Sequence, residues 1–246
     1  AYRKFSISKD DSNRSLHDLR RLINKGKIMD QEIFREYDIR GIVDDNLTDG
    51  VVYEIGKAFA TKMHEVGAKH IVTGRDGRNS SPKIEDSLSK GLRSGGASVT
   101  SIGRVTTPML YYATNRLNSG TGIMVTGSHN PPNYNGLKMM LAEETLSGKS
   151  IQDLYRIINN KVARTGSGSQ SELSLASEYS DEIVNQVELT KNLRVVVDCG
   201  NGVAGDFAPD LLTRIGATVE ELYCDVDGSF PNHHPDPAEP KNLQDL

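Results

Sequence analysis

The chain has 246 residues, with 29 Lys and Arg against 33 Asp and Glu, for a formal net charge of −4. At about 150 residues per domain this length predicts one to two domains with ample core, and the mildly acidic balance argues against general nucleic-acid binding. No stretch approaches the roughly 18 apolar residues of a membrane span, residues 1–28 lack a signal-peptide apolar segment, and Cys199 and Cys224 form no CxxC pair, so a reduced, cytoplasmic setting is expected.

Residues 1–28 are polar and basic, with Leu16, Leu19, Leu22 and Ile23 spaced like one face of a short helix. They read as a leader or appended segment, or as a basic helix for a partner or a membrane surface. From residue 34 the rhythm becomes strand–helix alternation. Residues 34–43 predict a strand. Thr48 caps a predicted helix carrying Val52, Ile55, Phe59, Met63 and Val66, ended by Gly67. A strand at 70–73, a loop at 74–81, a helix through Leu92, a strand at 97–102, a helix opening at Thr107-Pro108 and a strand at 122–126 follow. Gly and Ser dominate 164–174, which predicts a loop or linker. A helix at 175–189 precedes a second unit: strand 193–198, Gly-rich turn, helix 204–215 and strand 218–223. Repeated strand–helix units predict an α/β fold, with helices covering parallel or mixed sheets.

The segment richest in chemistry is Thr126-Gly127-Ser128-His129-Asn130-Pro131-Pro132-Asn133-Tyr134-Asn135-Gly136-Leu137-Lys138. It follows an apolar strand, where α/β ligand sites collect. Gly127 lets backbone and ligand approach closely, and the two prolines stiffen the loop. Ser128 offers a hydroxyl, His129 and Lys138 protons or charge, and Asn130 an amide. The set suits phosphoryl transfer, where a weak serine nucleophile needs help and the transferring group needs cations around it. Composition alone is equally compatible with a turn-rich loop and an incidental serine. A serine hydrolase is disfavoured, because Ser128 lacks the GxSxG elbow.

That string resembles the active-site loop of the α-D-phosphohexomutase superfamily. Phe34-Arg35-Glu36-Tyr37-Asp38-Ile39-Arg40-Gly41, Gly74-Arg75-Asp76-Gly77-Arg78, Thr107-Pro108, Asp198-Cys199-Gly200-Asn201-Gly202 and Pro231-Asn232-His233-His234-Pro235-Asp236-Pro237 resemble further motifs of the same superfamily. The likeness covers about residues 30–246. It implies two three-layer α/β/α domains with mixed sheets, at 29–170 and 171–246, the second incomplete. It also implies a phosphohexomutase that interconverts hexose 1-phosphate and hexose 6-phosphate, of mannose or glucose, through a hexose 1,6-bisphosphate. Ser128 would be the phosphoserine and His129 would handle protons. Lys138 would act as general base or by charge, and Tyr37, Arg40 and Asn130 would bind substrate. Without the family context, a solvated surface arginine is the alternative reading of Arg40.

The resemblance further implies Mg²⁺, held by one oxygen of phosphorylated Ser128 and by three aspartates of a D-G-D-G-D-R loop. This sequence has no such string. Asp225-Val226-Asp227-Gly228-Ser229 reads as a turn, since Phe230 stands where a calcium loop needs Gly. His233-His234 reads as a loop contact, because adjacent side chains diverge. Asp198-Cys199-Gly200-Asn201-Gly202 reads as a tight turn rather than a phosphate cradle. The expectation is an N-terminal portion of a mutase, inactive by itself. The alternative is a non-catalytic sugar-phosphate-binding or scaffolding protein derived from one.

Overall fold

In the computed structural model, which describes residues 29–246, the strand–helix rhythm takes definite form. The helical face expected around Leu16–Ile23 lies outside the described residues. The first unit runs β1 (Ile39–Ile42), α1 (Asp49–Glu65), β2 (His70–Arg75), α2 (Ser81–Ser94), β3 (Ser98–Arg104) and α3 (Thr107–Arg116). It continues through β4 (Gly122–Val125), β5 (Tyr134–Leu141), β6 (Glu144–Thr145), α4 (Lys149–Asn159) and β7 (Gln170–Glu172), after which α5 (Ala176–Gln186) leads into the second unit. Then come β8 (Arg194–Asp198), α6 (Ala208–Arg214) and β9 (Thr218–Leu222).

The main sheet is mixed, in the order β1-β5-β4-β2-β3-β7, with β6 on β5. Strands β2, β3, β4 and β7 are parallel, and β5 is antiparallel to both β1 and β4. Successive strand residues face opposite sides of a sheet, and burial divides accordingly. Ile71, Ile123, Leu137 and Met139 pack with Phe59 of α1, Leu88 of α2 and Leu154 of α4. Val72 and Met124 pack on the other face, with Met109 and Leu110 of α3 and with Leu175. The first unit is thus a three-layer α/β/α sandwich. Burying each large side chain contributes roughly 1.5–3 kcal/mol. In the second unit, β8 and β9 form a parallel pair.

The Thr48 cap forms as expected, its Oγ1 accepting the Val51 N–H at 3.4 Å. Three expectations change. Only Ile39–Ile42 of the predicted 34–43 strand is a strand, because the Arg35 N–H donates to Asp38 O at 2.9 Å and turns the chain back, leaving Phe34 in an isolated bridge with Ile39. The Gly/Ser-rich 164–174 segment is no plain linker: β7 lies within it and pairs with β3. Small residues allow this, since a Cβ on Gly168 would lie 1.8 Å from the Ala97 carbonyl oxygen. The predicted helix at 204–215 is divided into a 3-10 turn, Val203–Asp206, and α6, with Pro209 in the first turn of α6. Strand β5 and helix α4 were not foreseen.

Candidate active site

The chain leaves β4 at Val125 and returns along β5, so residues 126–133 form a loop at the sheet edge of the parallel strands' C-terminal ends. Its path is fixed by backbone bonds: Thr126 N–H to Gly136 O at 3.0 Å, Asn130 N–H to Gly127 O at 3.1 Å, and Tyr134 N–H to Pro131 O at 3.0 Å. Ser128 sits at φ +54°, a left-handed conformation uncommon outside glycine, and such strain collects at functional sites. Its N–H donates to Thr126 Oγ1 at 2.9 Å.

Beneath the loop lies Arg78, from the turn between β2 and α2, only 2% exposed. Its Nη1 donates to the carbonyls of Pro131 and Tyr134 at 2.6 and 3.1 Å. Its Nη2 donates to those of Ser128 and Asn130 at 2.8 and 2.6 Å. One planar donor group therefore satisfies four carbonyls of the turn. Gly127 is required there, because a Cβ would lie 2.3 Å from Arg78 Nε. Burial pulls the Arg78 guanidinium below its ordinary value, and Asp76 opposes that. Asp76 also ties the two loops together. Its Oδ2 accepts the Gly127 N–H at 3.2 Å, and its Oδ1 accepts the Arg78 N–H at 3.1 Å and the Ser81 hydroxyl at 2.5 Å. Buried Asn135 donates to Ser80 and Ser81 hydroxyls at 2.9 Å each. Reading the sequence assigned no role to Asp76, Arg78 or Asn135. The available signal was an Asp-Gly-Arg string closing a parallel strand.

The expected site residues divide by environment. The Ser128 hydroxyl and the side chains of His129 and Lys138 make no hydrogen bond or ion pair to other described residues. They are open to a ligand. Asn130 folds its amide back onto Gly127 O at 3.0 Å, so it helps to build the loop. Arg40 opposes Gly136, and Lys138 opposes Met124. Opposed residues of antiparallel strands share a face, which brings Arg40 and Lys138 to the side of the sheet away from α1, α2 and α4. Arg40 is 8% exposed, ion-paired to Asp38, and its Nε has no hydrogen-bond partner. Tyr37 is 73% exposed, just before β1.

The second unit's turn behaves differently. Asn201, also left-handed at φ +57°, is 4% exposed. Its Nδ2 donates to Asp225 O at 2.9 Å, and its Oδ1 accepts from Asn232 at 2.8 Å. His233 Nε2 lies 3.0 Å from Asp198 Oδ2, and its Nδ1 lies 3.0 Å from His234 O. The His234 carbonyl and then Asp198 raise His233 above its ordinary value, against burial. Cys199 and Cys224 are free thiols with sulfurs 3.5 Å apart; burial first, and Cys224 beside it, push Cys199 up to about 12. Asp227 is engaged by the Ser229 N–H and hydroxyl at 2.8 and 2.7 Å. Among the described residues, no three His, Cys, Asp or Glu side chains are grouped to hold a metal ion, and no helix is long and apolar enough to cross a membrane.

A mixed α/β/α sandwich with a strained, polar loop at the strand ends defines an α/β enzyme-type scaffold. Residues 31–165 match the family model described as phosphoglucomutase/phosphomannomutase, alpha/beta/alpha domain I, and residues 177–246 match domain II. The chain belongs to the phosphoglucomutase/phosphomannomutase family. It is 50% identical over 218 residues to a Neisseria gonorrhoeae phosphoglucomutase, covering 88% of this chain and 47% of that protein. It is 46% identical over 222 residues to a Pseudomonas aeruginosa phosphomannomutase/phosphoglucomutase, covering 90% and 48%. A crystal structure of a phosphoglucomutase/phosphomannomutase family protein from Burkholderia thailandensis superimposes with a TM-score of 0.86 at 43% identity, covering 89% of this chain and 50% of that one. The chain spans about half the length of the curated relatives it matches.

Proposed function

We propose that the protein is a phosphohexomutase acting on hexose 1- and 6-phosphates of glucose or mannose, with Ser128 as the phosphoryl carrier. The observation that carries this reading is the Ser128 loop. Its carbonyls are tied down by Arg78, while the serine hydroxyl itself stays unengaged at a strained φ of +54°. A group that must accept and release a phosphoryl in turn is best held in a fixed position with no competing partner.

In the proposed cycle, the Ser128 Oγ–P bond breaks as a sugar hydroxyl oxygen bonds to phosphorus. The hydroxyl proton passes by way of Lys138 or His129 to the departing Ser128 Oγ, and a hexose 1,6-bisphosphate and the free serine hydroxyl result. The bisphosphate reorients, and its other phosphoryl returns to Ser128 Oγ, leaving the isomeric monophosphate. Arg40 supplies planar cationic donors for the anionic sugar phosphate. Tyr37 shapes the approach at the mouth, and Asn130 contributes through its remaining amide oxygen. Mg²⁺ belongs to this reading as a screen for the nearly double charge of a phosphoserine. Of the described residues, only a phosphorylated Ser128 offers it a ligand. They do not form a cation site, so no step is routed through the ion. The proposed setting is cytoplasmic.

The test is intact mass after exposure to a hexose 1,6-bisphosphate. Gain of one phosphate by the complete natural protein, abolished by Ser128→Ala, is the expected result. Undiminished labelling of the Ser128→Ala protein would overturn the assignment. Sugar-phosphate binding with no covalent uptake would move the non-catalytic reading to the front.

A further inference from the structure

The Arg78 guanidinium has an edge and a face. The edge donates to the four loop carbonyls, while Nε lies 3.3 Å from Asp76 Oδ2 in an ion pair without a hydrogen bond. The face is covered by Phe230, whose ring centroid lies 5.0 Å from Arg78 Cζ. Phe230 belongs to the second α/β unit, on the turn that follows β9. That turn is seated directly on the Arg78 segment: a Cβ on Gly228 would lie 2.4 Å from the Asn79 nitrogen and 2.8 Å from Arg78 Cα. From the other side, a Cβ on Gly77 would lie 2.4 Å from Val226. The turn is shaped before it docks, with the Phe230 N–H on Asp227 O at 3.0 Å. Phe230 itself is held at φ +53°, a conformation an aromatic residue keeps only when its surroundings impose it. The turn so closed by the Asp227 carbonyl presents the Phe230 ring to Arg78.

We infer that Phe230 is a positioning residue for Ser128: its ring clamps the Arg78 guanidinium against the carbonyls that define the serine loop. A cation buried against an aromatic face gains more than an exposed one, because water no longer competes for it. Since four carbonyls share one guanidinium, any tilt of Arg78 loosens the whole turn at once. The second unit thereby holds the first unit's nucleophile loop in register without touching the serine. This inference rests on the reading of Ser128 as the phosphoryl carrier.

The experiment uses the complete natural protein with Phe230→Ala, Phe230→Leu and Phe230→Tyr, and reads kcat, KM and the rate of phosphate uptake on Ser128 from a hexose 1,6-bisphosphate. Misplacement of a reacting group by about 1 Å can lower rates by about 100-fold. Phe230→Ala is expected to lower kcat and the uptake rate by about 10- to 100-fold, with KM within about twofold. Phe230→Leu keeps the apolar volume but not the π face and remains slow; Phe230→Tyr restores the rate. If Phe230→Ala does not fold, Phe230→Leu carries the test alone. Full activity in Phe230→Leu, or a loss confined to KM, would overturn the clamp. Wild-type protein that takes no phosphate on Ser128 would defeat the reading of the serine itself. Uptake by Phe230→Ala or Phe230→Leu at the wild-type rate would defeat only the role of Phe230.

Discussion

Two turns in this molecule share a backbone problem and solve it for opposite ends. Each follows the C-terminal end of a parallel strand, and each forces a non-glycine residue into left-handed space: Ser128 at φ +54° after β4, and Asn201 at φ +57° after β8. Asn201 spends its side chain on the fold, with both amide ends bonded and 4% of its surface exposed. Ser128 leaves its side chain unengaged and has a neighbour, Arg78, hold the turn through backbone carbonyls alone. A strained turn whose residue is self-satisfied is architecture. A strained turn held from outside, with its own side chain free, suits the phosphoryl-carrier role proposed for Ser128.

Substitutions can separate these roles. The largest effect is expected for Ser128→Ala, which should lower turnover of the complete protein by at least about 1,000-fold, with little change in unfolding midpoint. Next comes Arg78→Ala. It removes the guanidinium from four loop carbonyls and from beside Asp76, and should destabilise the fold by about 3–5 kcal/mol in denaturant titration. A loss under about 1 kcal/mol would mean that water replaces the guanidinium at little penalty. Gly127→Ala pushes a methyl group into Arg78 and should lower stability by about 1–3 kcal/mol, together with phosphate uptake. Asn201→Ala should have a similar stability effect, about 1–3 kcal/mol, but leave the phosphate stoichiometry at Ser128 intact. Equal behaviour of the Gly127 and Asn201 variants would erase the contrast between the turns.

The smallest effect is a pH dependence. His233 is raised above its ordinary 6.5 by the His234 carbonyl and Asp198, with Asp245 adding to the field. A raised folded-state value means that the imidazolium stabilises the fold below about pH 6.5, and that this is lost as pH rises through the folded value. The midpoint gap between wild type and His233→Gln should therefore be wider at about pH 6 than at about pH 8. A gap of the same size at both would place His233 in neutral hydrogen bonding only.

Much of the fold was legible where side-chain period and caps agree. The helix from Thr48 to Gly67 and the strands around Val72, Val99 and Ile123 follow from apolar spacing and from cap residues. Strand β5 was hidden because Asn135-Gly136 reads as a turn, yet Gly136 is there so that β1 can approach: a Cβ would lie 2.3 Å from the Ile39 carbonyl oxygen. Strand β7 was hidden because its Gly/Ser surroundings read as linker, while its pairing with β3 comes from a neighbour distant in sequence. Helix α4 did carry a signal, in Ile151, Leu154 and Ile158, all buried against the α1 side of the sheet.

The same division runs through the candidate site. By itself the sequence determined the family and located the serine loop, because those depend on local strings: the Gly beside Ser128, the prolines that stiffen the loop, and the Lys ten residues on. Tertiary structure alone decided which groups hold that loop. Arg78 and Phe230 are far from Ser128 in the chain, and nothing local distinguishes a buried arginine that binds four carbonyls from a solvated one. Only folding removes water from its surroundings, and only then does a guanidinium bind neighbouring carbonyls and an aromatic ring strongly enough to fix a turn.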